Sequence, residues 1–210
     1  MKAPMKCTSR PGKMTGYALA AVIGILTGII TLIGQKYLPV NLNFLANSAS
    51  MWSVPAFLVP YCLRSEKRQS SLQSTAVLVV CVLSYYTFEA LLNHHAYSVN
   101  RHQLLWLCCA LTGGLVIGLC VNLAQTKNDI IGDLCRNILP AIFAAEASSK
   151  LFHISDYRHM IPGVCLQLCI GLALYAVINR KNVLKKENVL SFIALLILGS
   201  VAFELLWRFA

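Results

Sequence analysis

The sequence predicts an all-α integral membrane protein, a polytopic bundle of about seven transmembrane helices, and three observations predict it. Hydrophobic residues make up 57% of the 210 residues and charged residues only 12%, whereas soluble domains carry about 25% charged residues. The mean hydropathy of +0.64 is too high for a disordered chain. Seven stretches are apolar over roughly 20 residues, the length that crosses a bilayer core of about 30 Å. A soluble globular protein is therefore excluded.

The predicted spans differ in regularity. They run near residues 16–34, 44–63, 74–92, 104–124, 134–151, 160–178 and 189–207. The first, fourth and seventh are uninterrupted apolar runs. The second contains Pro55 and Pro60, which deprive carbonyl groups one turn earlier of their donors, so we expect a kinked or irregular helix. The fifth contains Arg136, Glu146 and Lys150 and could instead be a buried amphipathic helix.

The distribution of Lys and Arg predicts the orientation. Thirteen of these residues fall on the side that holds the tail 1–15 and the loops 64–73, 125–133 and 179–188, against five on the other side. Because cytoplasmic loops are enriched in Lys and Arg, we expect a cytoplasmic N-terminus and an outside C-terminus in a bacterial inner membrane. The loops are too short for a separate folded domain. We therefore expect a basic cytoplasmic tail, 1–15, and one transmembrane domain, 16–210.

The net charge of +10 does not indicate a nucleic-acid partner. The basic residues stand in short clusters at the ends of the predicted helices, which favours anchoring at the surface of the lipid bilayer. Small residues at four-residue spacing, such as Gly24 and Gly28 or Gly114 and Gly118, predict close helix contacts. Those contacts could lie within one chain, between copies in a homo-oligomer, or with a membrane protein partner.

Ionisable side chains gather at the predicted outer end. Glu89, Glu146 and Glu204 are the only carboxylates within the predicted spans, and each lies in the outward third of its helix. Since intramembrane ionisable residues usually face the bundle interior or a water-filled cavity, we expect an outward-facing pocket for a small polar solute or a cation. The candidate ligand-binding residues are Glu89, Glu146, Tyr85, Asn47, Trp52 and Glu204.

A structural interpretation of two of these acids stays open. Glu146 precedes Lys150 by four residues, and Glu204 precedes Arg208 by four, which is the favourable order for a helical ion pair. Glu89 has no basic residue within one turn, and it is therefore the leading candidate. Histidines also fall at this end, and His94, His95 and His153 are weak candidate metal ligands because they lack a diagnostic zinc spacing.

The absence of known sequence motifs reduces the number of possible functions. The nine cysteines contain no CxxC pair, and no HExxH, GxSxG or P-loop motif occurs, so no cofactor is predicted. We expect a small-solute transporter or a solute-binding membrane subunit. The alternative is a non-catalytic membrane scaffold or accessory subunit. A third hypothesis is an intramembrane enzyme that uses a glutamate and a histidine as acid and base, which needs a histidine within about 3–4 Å of Glu89 or Glu146 or joined to it through one water.

Two resemblances add to this interpretation. The chain resembles an uncharacterised family of small bacterial integral membrane proteins through Asn47-Ser48, Trp52, Phe57, Tyr85-Tyr86 and the segment 106–114. That resemblance implies a membrane location and no particular activity. At the level of the fold, the chain is similar to the S components of energy-coupling-factor vitamin transporters. They have about this size, lack an ATP site and carry small residues in the first helix, and the similarity implies a substrate site near the outer face.

Overall fold

The computed structural model describes residues 13–94, 96–180 and 182–209, and in these residues the fold is all-α, as predicted. The predicted tail lies mostly outside the described residues. The helices are α1 (Lys13–Tyr37), α2 (Asn43–Ala46), α3 (Ala49–Leu63), α4 (Lys67–Leu92), α5 (Arg101–Thr126), α6 (Ile130–Arg136), α7 (Ile138–Phe152), α8 (Ile154–Tyr157), α9 (Ile161–Ile178) and α10 (Lys186–Phe209), with a 3₁₀ turn at Arg158–Met160.

Five helical segments of the described chain are long and apolar enough to cross a membrane. They are α1, α4, α5, the segment from α8 to α9, and α10. The second and fifth predicted spans fold instead as α3 and α7, which have 15 residues each. Such a helix rises only about 22 Å, less than the bilayer core of about 30 Å. The predicted count of seven crossing helices is therefore not confirmed, and five helices meet the criterion.

Local sequence explains why these two spans are shortened. The helical conformation is interrupted at Asn47. Ser48 then caps the N-terminus of α3 by accepting a hydrogen bond from the Met51 N–H at 3.3 Å. The helix ends at Arg64, which adopts the left-handed conformation with φ of 49°. In the fifth span, Asn137 separates α6 from α7. Each shortened helix is thus preceded by a short helix that carries the rest of the span.

The two short helices occupy the centre of the bundle. Helix α3 packs against α1, α4 and α5, and α7 packs against α9 and α10. The two groups meet where α3 contacts α7. Both short helices are rich in buried residues, including Phe57 on α3 and Phe143 on α7. The long helices expose many large apolar side chains, as expected for helices in contact with lipid.

Small residues bring the long helices together within one chain, which confirms the close backbone contacts predicted from their spacing. A Cβ atom added to Gly24 would lie 2.7 Å from the Val77 carbonyl oxygen of α4. One added to Gly114 of α5 would lie 2.5 Å from the Thr75 Cα. Helix α4 therefore packs between α1 and α5 with its backbone in contact with theirs at these glycines.

The contacts also define two ends of the bundle. At the first, called the basic end, one cavity is lined by the turn 64–66, Arg136 and Arg180. Arg136 also bonds to the Lys127 carbonyl and to Asp133, and Asp133 pairs with Lys185. At the second, called the histidine end, the end of α1, the α2–α3 break, the start of α9 and the ends of α4, α7 and α10 come together.

Candidate functional site

The structure distributes the predicted ligand-binding residues over three groups at the histidine end. Glu146 belongs to a network between α7, α3 and α9. Trp52, Tyr85 and Glu89 lie where α3 and α4 meet the end of α1. Glu204 pairs with His153 between α10 and α7. Of the three cavities that the structure describes, one is lined by Glu204, and Glu89 and Glu146 line none of these three.

Glu146 is buried, with 7% of its surface exposed, and each oxygen of its carboxylate has one hydrogen-bond partner. Lys150 donates to Oε1 at 2.7 Å, one turn along α7. The backbone N–H of Ser50 donates to Oε2 at 2.9 Å. Ser50 is in the first turn of α3, where N–H groups lack partners within the helix and favour a negative charge. The carboxylate therefore stabilises the start of α3.

Further side chains complete this network. Gln167 of α9 donates to the Ser50 hydroxyl at 2.7 Å and accepts from Lys150 at 3.3 Å. The Lys150 ammonium also lies 4.7 Å from the centre of the Phe44 ring. Every charged group of the network is thus partnered by protein, which favours the structural interpretation of Glu146. Nearby, the side-chain oxygen of Asn47 is buried and receives no hydrogen bond from the described residues.

The second group combines aromatic, amide and acidic side chains. Trp52 is 4% exposed, donates from its indole nitrogen to Thr31 of α1 at 2.9 Å, and has its ring 6.5 Å from that of Tyr85. The Tyr85 hydroxyl lies beside the Gln35 side chain, and Glu89 follows Tyr85 by one turn along α4. We call Trp52, Tyr85, Glu89 and Gln35 the Glu89 cluster.

Glu89 differs from the other two intramembrane acids in its partners. It accepts one long hydrogen bond, at 3.4 Å, from the Asn93 amide. Among the described residues it forms no ion pair, and it is only partly buried. A carboxylate with unused acceptor capacity, beside a phenol and two amides, can coordinate a cation or accept hydrogen bonds from a polar solute.

The third group is an ion-paired rim. His153 and Glu204 lie 2.7 Å apart, and Arg208 donates to the other Glu204 oxygen at 3.4 Å. The His153 ring stacks on Trp207 with 4.9 Å between the centres. These residues adjoin a cavity of about 790 Å³ with an otherwise largely apolar lining. Among the described histidines, His153 therefore approaches an intramembrane glutamate, and that glutamate is Glu204.

The two candidate metal ligands that the structure describes have different surroundings. His94 is exposed and has a φ of 53° at the end of α4, His153 is engaged by Glu204, and His95 lies outside the described residues. Where the structure describes the chain, no three His, Cys, Asp or Glu side chains lie close enough to hold a metal ion. The eight cysteines in the described ranges are free thiols.

Sequence reasoning missed a buried asparagine network near the basic end. Asn179 of α9 donates to Asn137 at 2.7 Å, and Asn137 donates to the Ser191 hydroxyl at 2.8 Å and to the Asn188 carbonyl at 3.2 Å. It links α7, α9 and α10 through groups that are almost fully buried. The available signal was the presence of Asn137, Asn179 and Asn188 at the ends of apolar runs, where a buried amide must find a partner.

Five long apolar helices and buried polar networks at both ends indicate the class of multi-pass integral membrane proteins. The sequence matches the family of unknown function DUF6518 over residues 8–209, so the chain belongs to that family. No curated protein and no solved structure matches it. The family match gives no support for the predicted similarity to S components or to a family of bacterial membrane proteins.

Proposed function

We propose that this protein is a small-solute transporter or a solute-binding membrane subunit, and that the Glu89 cluster binds a cation or a cationic polar solute. The observation that carries the proposal is the missing counterion of Glu89. Glu89 is the one intramembrane glutamate without an ion-pair partner in the described residues, and Tyr85 and Asn93 stand beside it. A partly buried carboxylate gains most from a ligand that supplies the missing positive charge.

The same proposal includes the membrane topology. The chain would cross seven times in a bacterial inner membrane, with the N-terminus in the cytoplasm, the basic end cytoplasmic and the C-terminus outside. The gathering of the loops 64–66, 127–129 and 179–185 at one end supports it, as does the excess of Lys and Arg in them. Reporter fusions at the C-terminus test the topology, since a reporter that is active only outside the cytoplasm should be active there. Activity of a cytoplasm-only reporter would overturn it.

Solute binding is tested with the purified full chain in lipid nanodiscs. The thermal unfolding midpoint is followed by tryptophan fluorescence in the presence of Na⁺, K⁺, Mg²⁺, Ca²⁺, choline or spermidine. A ligand at 100 times its Kd stabilises the folded state by about 2.7 kcal/mol, which raises the midpoint by several degrees. Glu89→Gln should abolish the shift for the cation that binds. No shift with any of these cations would overturn the proposed class of solute.

A matched control is Asp156→Asn, which removes one negative charge from the same end at an exposed position outside the Glu89 cluster. This variant should keep the shift. If both variants lose it equally, the effect arises from the general charge of this end and the proposed site is wrong. Flux of the bound cation into proteoliposomes then separates a transporter from a binding subunit.

A second candidate function is a membrane scaffold or accessory subunit. The observation that favours it is the internal pairing of Glu146 with Lys150 and of Glu204 with His153 and Arg208. In that case Glu89→Gln changes no binding property, whereas substitutions at surfaces shared with another membrane protein disrupt a complex. Co-purification of the chain from its native membrane, followed by cross-linking, distinguishes this function from solute binding.

A further inference from the structure

A cavity of about 1090 Å³ opens at the basic end, at the opposite end of the bundle from the Glu89 cluster. It lies between the last turns of α3, α5 and α9 and the start of α7. One wall is apolar and consists of Phe57, Leu58, Leu139, Leu174, Val177 and Ile178. The rim carries three guanidinium groups, from Arg64, Arg136 and Arg180, and one carboxylate, from Glu66. The cavity therefore combines a hydrocarbon surface with an excess of positive charge.

The three arginines are not equivalent. Arg136 is held by Asp133 and by hydrogen bonds to the Lys127 carbonyl and the Asn128 side chain. Arg64 and Arg180 are exposed and form no ion pair within the described ranges. Their guanidinium groups are thus available to a ligand, and two such groups can bind the oxygens of one phosphate.

The backbone that carries Arg64 is fixed from a neighbouring helix. Gln125 of α5 donates to the Tyr61 carbonyl at 2.7 Å, and Asn122 donates to the Ser65 carbonyl at 3.1 Å. Arg64 itself ends α3 in the left-handed conformation, where glycine or asparagine is usual. Helix α5 therefore fixes the turn that places Arg64 at the rim of the cavity.

We propose that this cavity binds a phospholipid with a net negative headgroup, taken from the adjoining leaflet. Its phosphate lies between Arg64 and Arg180, and its acyl chains run along the apolar wall of α3 and α9. Basic cavities between transmembrane helices bind anionic lipid headgroups in this way. A free phosphate ion would leave the apolar wall uncovered, and a zwitterionic lipid would leave the excess of guanidinium charge unbalanced.

The test measures lipid binding to the purified full chain by native mass spectrometry, with phosphatidylglycerol and phosphatidylcholine as probes and inorganic phosphate as competitor. Phosphatidylglycerol should bind more tightly than phosphatidylcholine. The double variant R64N/R180Q should weaken its binding by about 10- to 30-fold. Asparagine at position 64 accommodates the left-handed backbone, so the turn should keep its conformation. The control K67Q/R68Q removes two positive charges from the same end outside the cavity, and it should weaken binding less than about threefold.

Three results would overturn the proposal. Equal losses in the two double variants would show a diffuse attraction between lipid and basic surface. Equal binding of the two lipids would exclude recognition of charge. Displacement of phosphatidylglycerol by millimolar phosphate would show a site for the free anion. Val177→Trp provides an independent check, since it fills the apolar wall at an exposed position and keeps every arginine; it should also weaken phosphatidylglycerol binding, and unchanged binding would contradict the proposed path of the acyl chains.

Discussion

Removing one partner of the Glu146–Lys150 ion pair is expected to cost far more stability than removing one partner of the Glu204–Arg208 pair, although both are helical pairs four residues apart. The side chains of the first pair are 10% and 14% exposed, whereas that of Arg208 is 69% exposed. Opposite charges 2.7 Å apart attract by about 6 kcal/mol at an effective dielectric constant of about 20, but by only about 1.5 kcal/mol in water.

Glu146→Gln removes one charge of the buried pair and leaves the Lys150 ammonium without a counterion. Breaking a buried pair in this way costs about 3–5 kcal/mol. A glutamine can still accept a hydrogen bond from the Ser50 N–H, so we expect a loss of about 3 kcal/mol in the free energy of unfolding. Glu204→Gln should cause less change, because the side chain of Arg208 is mostly exposed and exposed ion pairs contribute little to stability.

Denaturant titration in mixed micelles, followed by circular dichroism, measures both variants. The double variant E146Q/K150M leaves no buried charge without a counterion, so it should recover most of the stability that Glu146→Gln loses, and the single variant K150M completes the double-mutant cycle. The reasoning is refuted if Glu146→Gln and Glu204→Gln are equally stable. It is also refuted if the stability lost by E146Q/K150M equals the sum of the losses of E146Q and K150M.

Three further predictions concern helix packing and buried hydrogen bonds. Gly114→Ala should lower the free energy of unfolding by about 1–3 kcal/mol because its methyl group would meet the α4 backbone, whereas Gly113→Ala, which meets open space, should be neutral or slightly stabilising, as denaturation midpoints will show. Asn137→Ala should cost about 1–3 kcal/mol by chemical denaturation, since it removes the amide that joins α9 and α10 to α7. Trp52→Phe should cost about 0.5–1.5 kcal/mol by the same measurement through loss of its hydrogen bond to Thr31.

Each of these comparisons has a result that contradicts it. Equal stabilities of Gly113→Ala and Gly114→Ala would mean that α4 and α5 are farther apart than described. A fully stable Asn137→Ala variant would mean that the amide network adds nothing to the assembly of the second group of helices. A Trp52→Phe variant that unfolds like the wild type, when Thr31→Val does so too, would exclude the indole hydrogen bond as a stabilising contact.

The three intramembrane glutamates show how far sequence reasoning reached. The i, i+4 spacing correctly indicated that Lys150 pairs with Glu146 and Arg208 with Glu204. It could not indicate Ser50, which is 96 residues from Glu146, or His153, which is 51 residues from Glu204. These partners depend on how distant helices are rotated against one another, and a helix-periodic spacing carries no information on that rotation.

The sequence by itself determined the all-α membrane class, the places of the five long apolar helices and the close contacts through Gly24 and Gly114, because length, apolarity and small size are local properties. Only the tertiary structure decided that α3 and α7 are short and central and that Arg64 and Arg180 line one cavity. It also decided which carboxylates find all their ion-pair and hydrogen-bond partners. The physical reason is that lipid is as apolar as the interior of the bundle. Hydrophobicity therefore does not distinguish the face of a helix that meets lipid from the face that meets protein, and specific long-range contacts must decide.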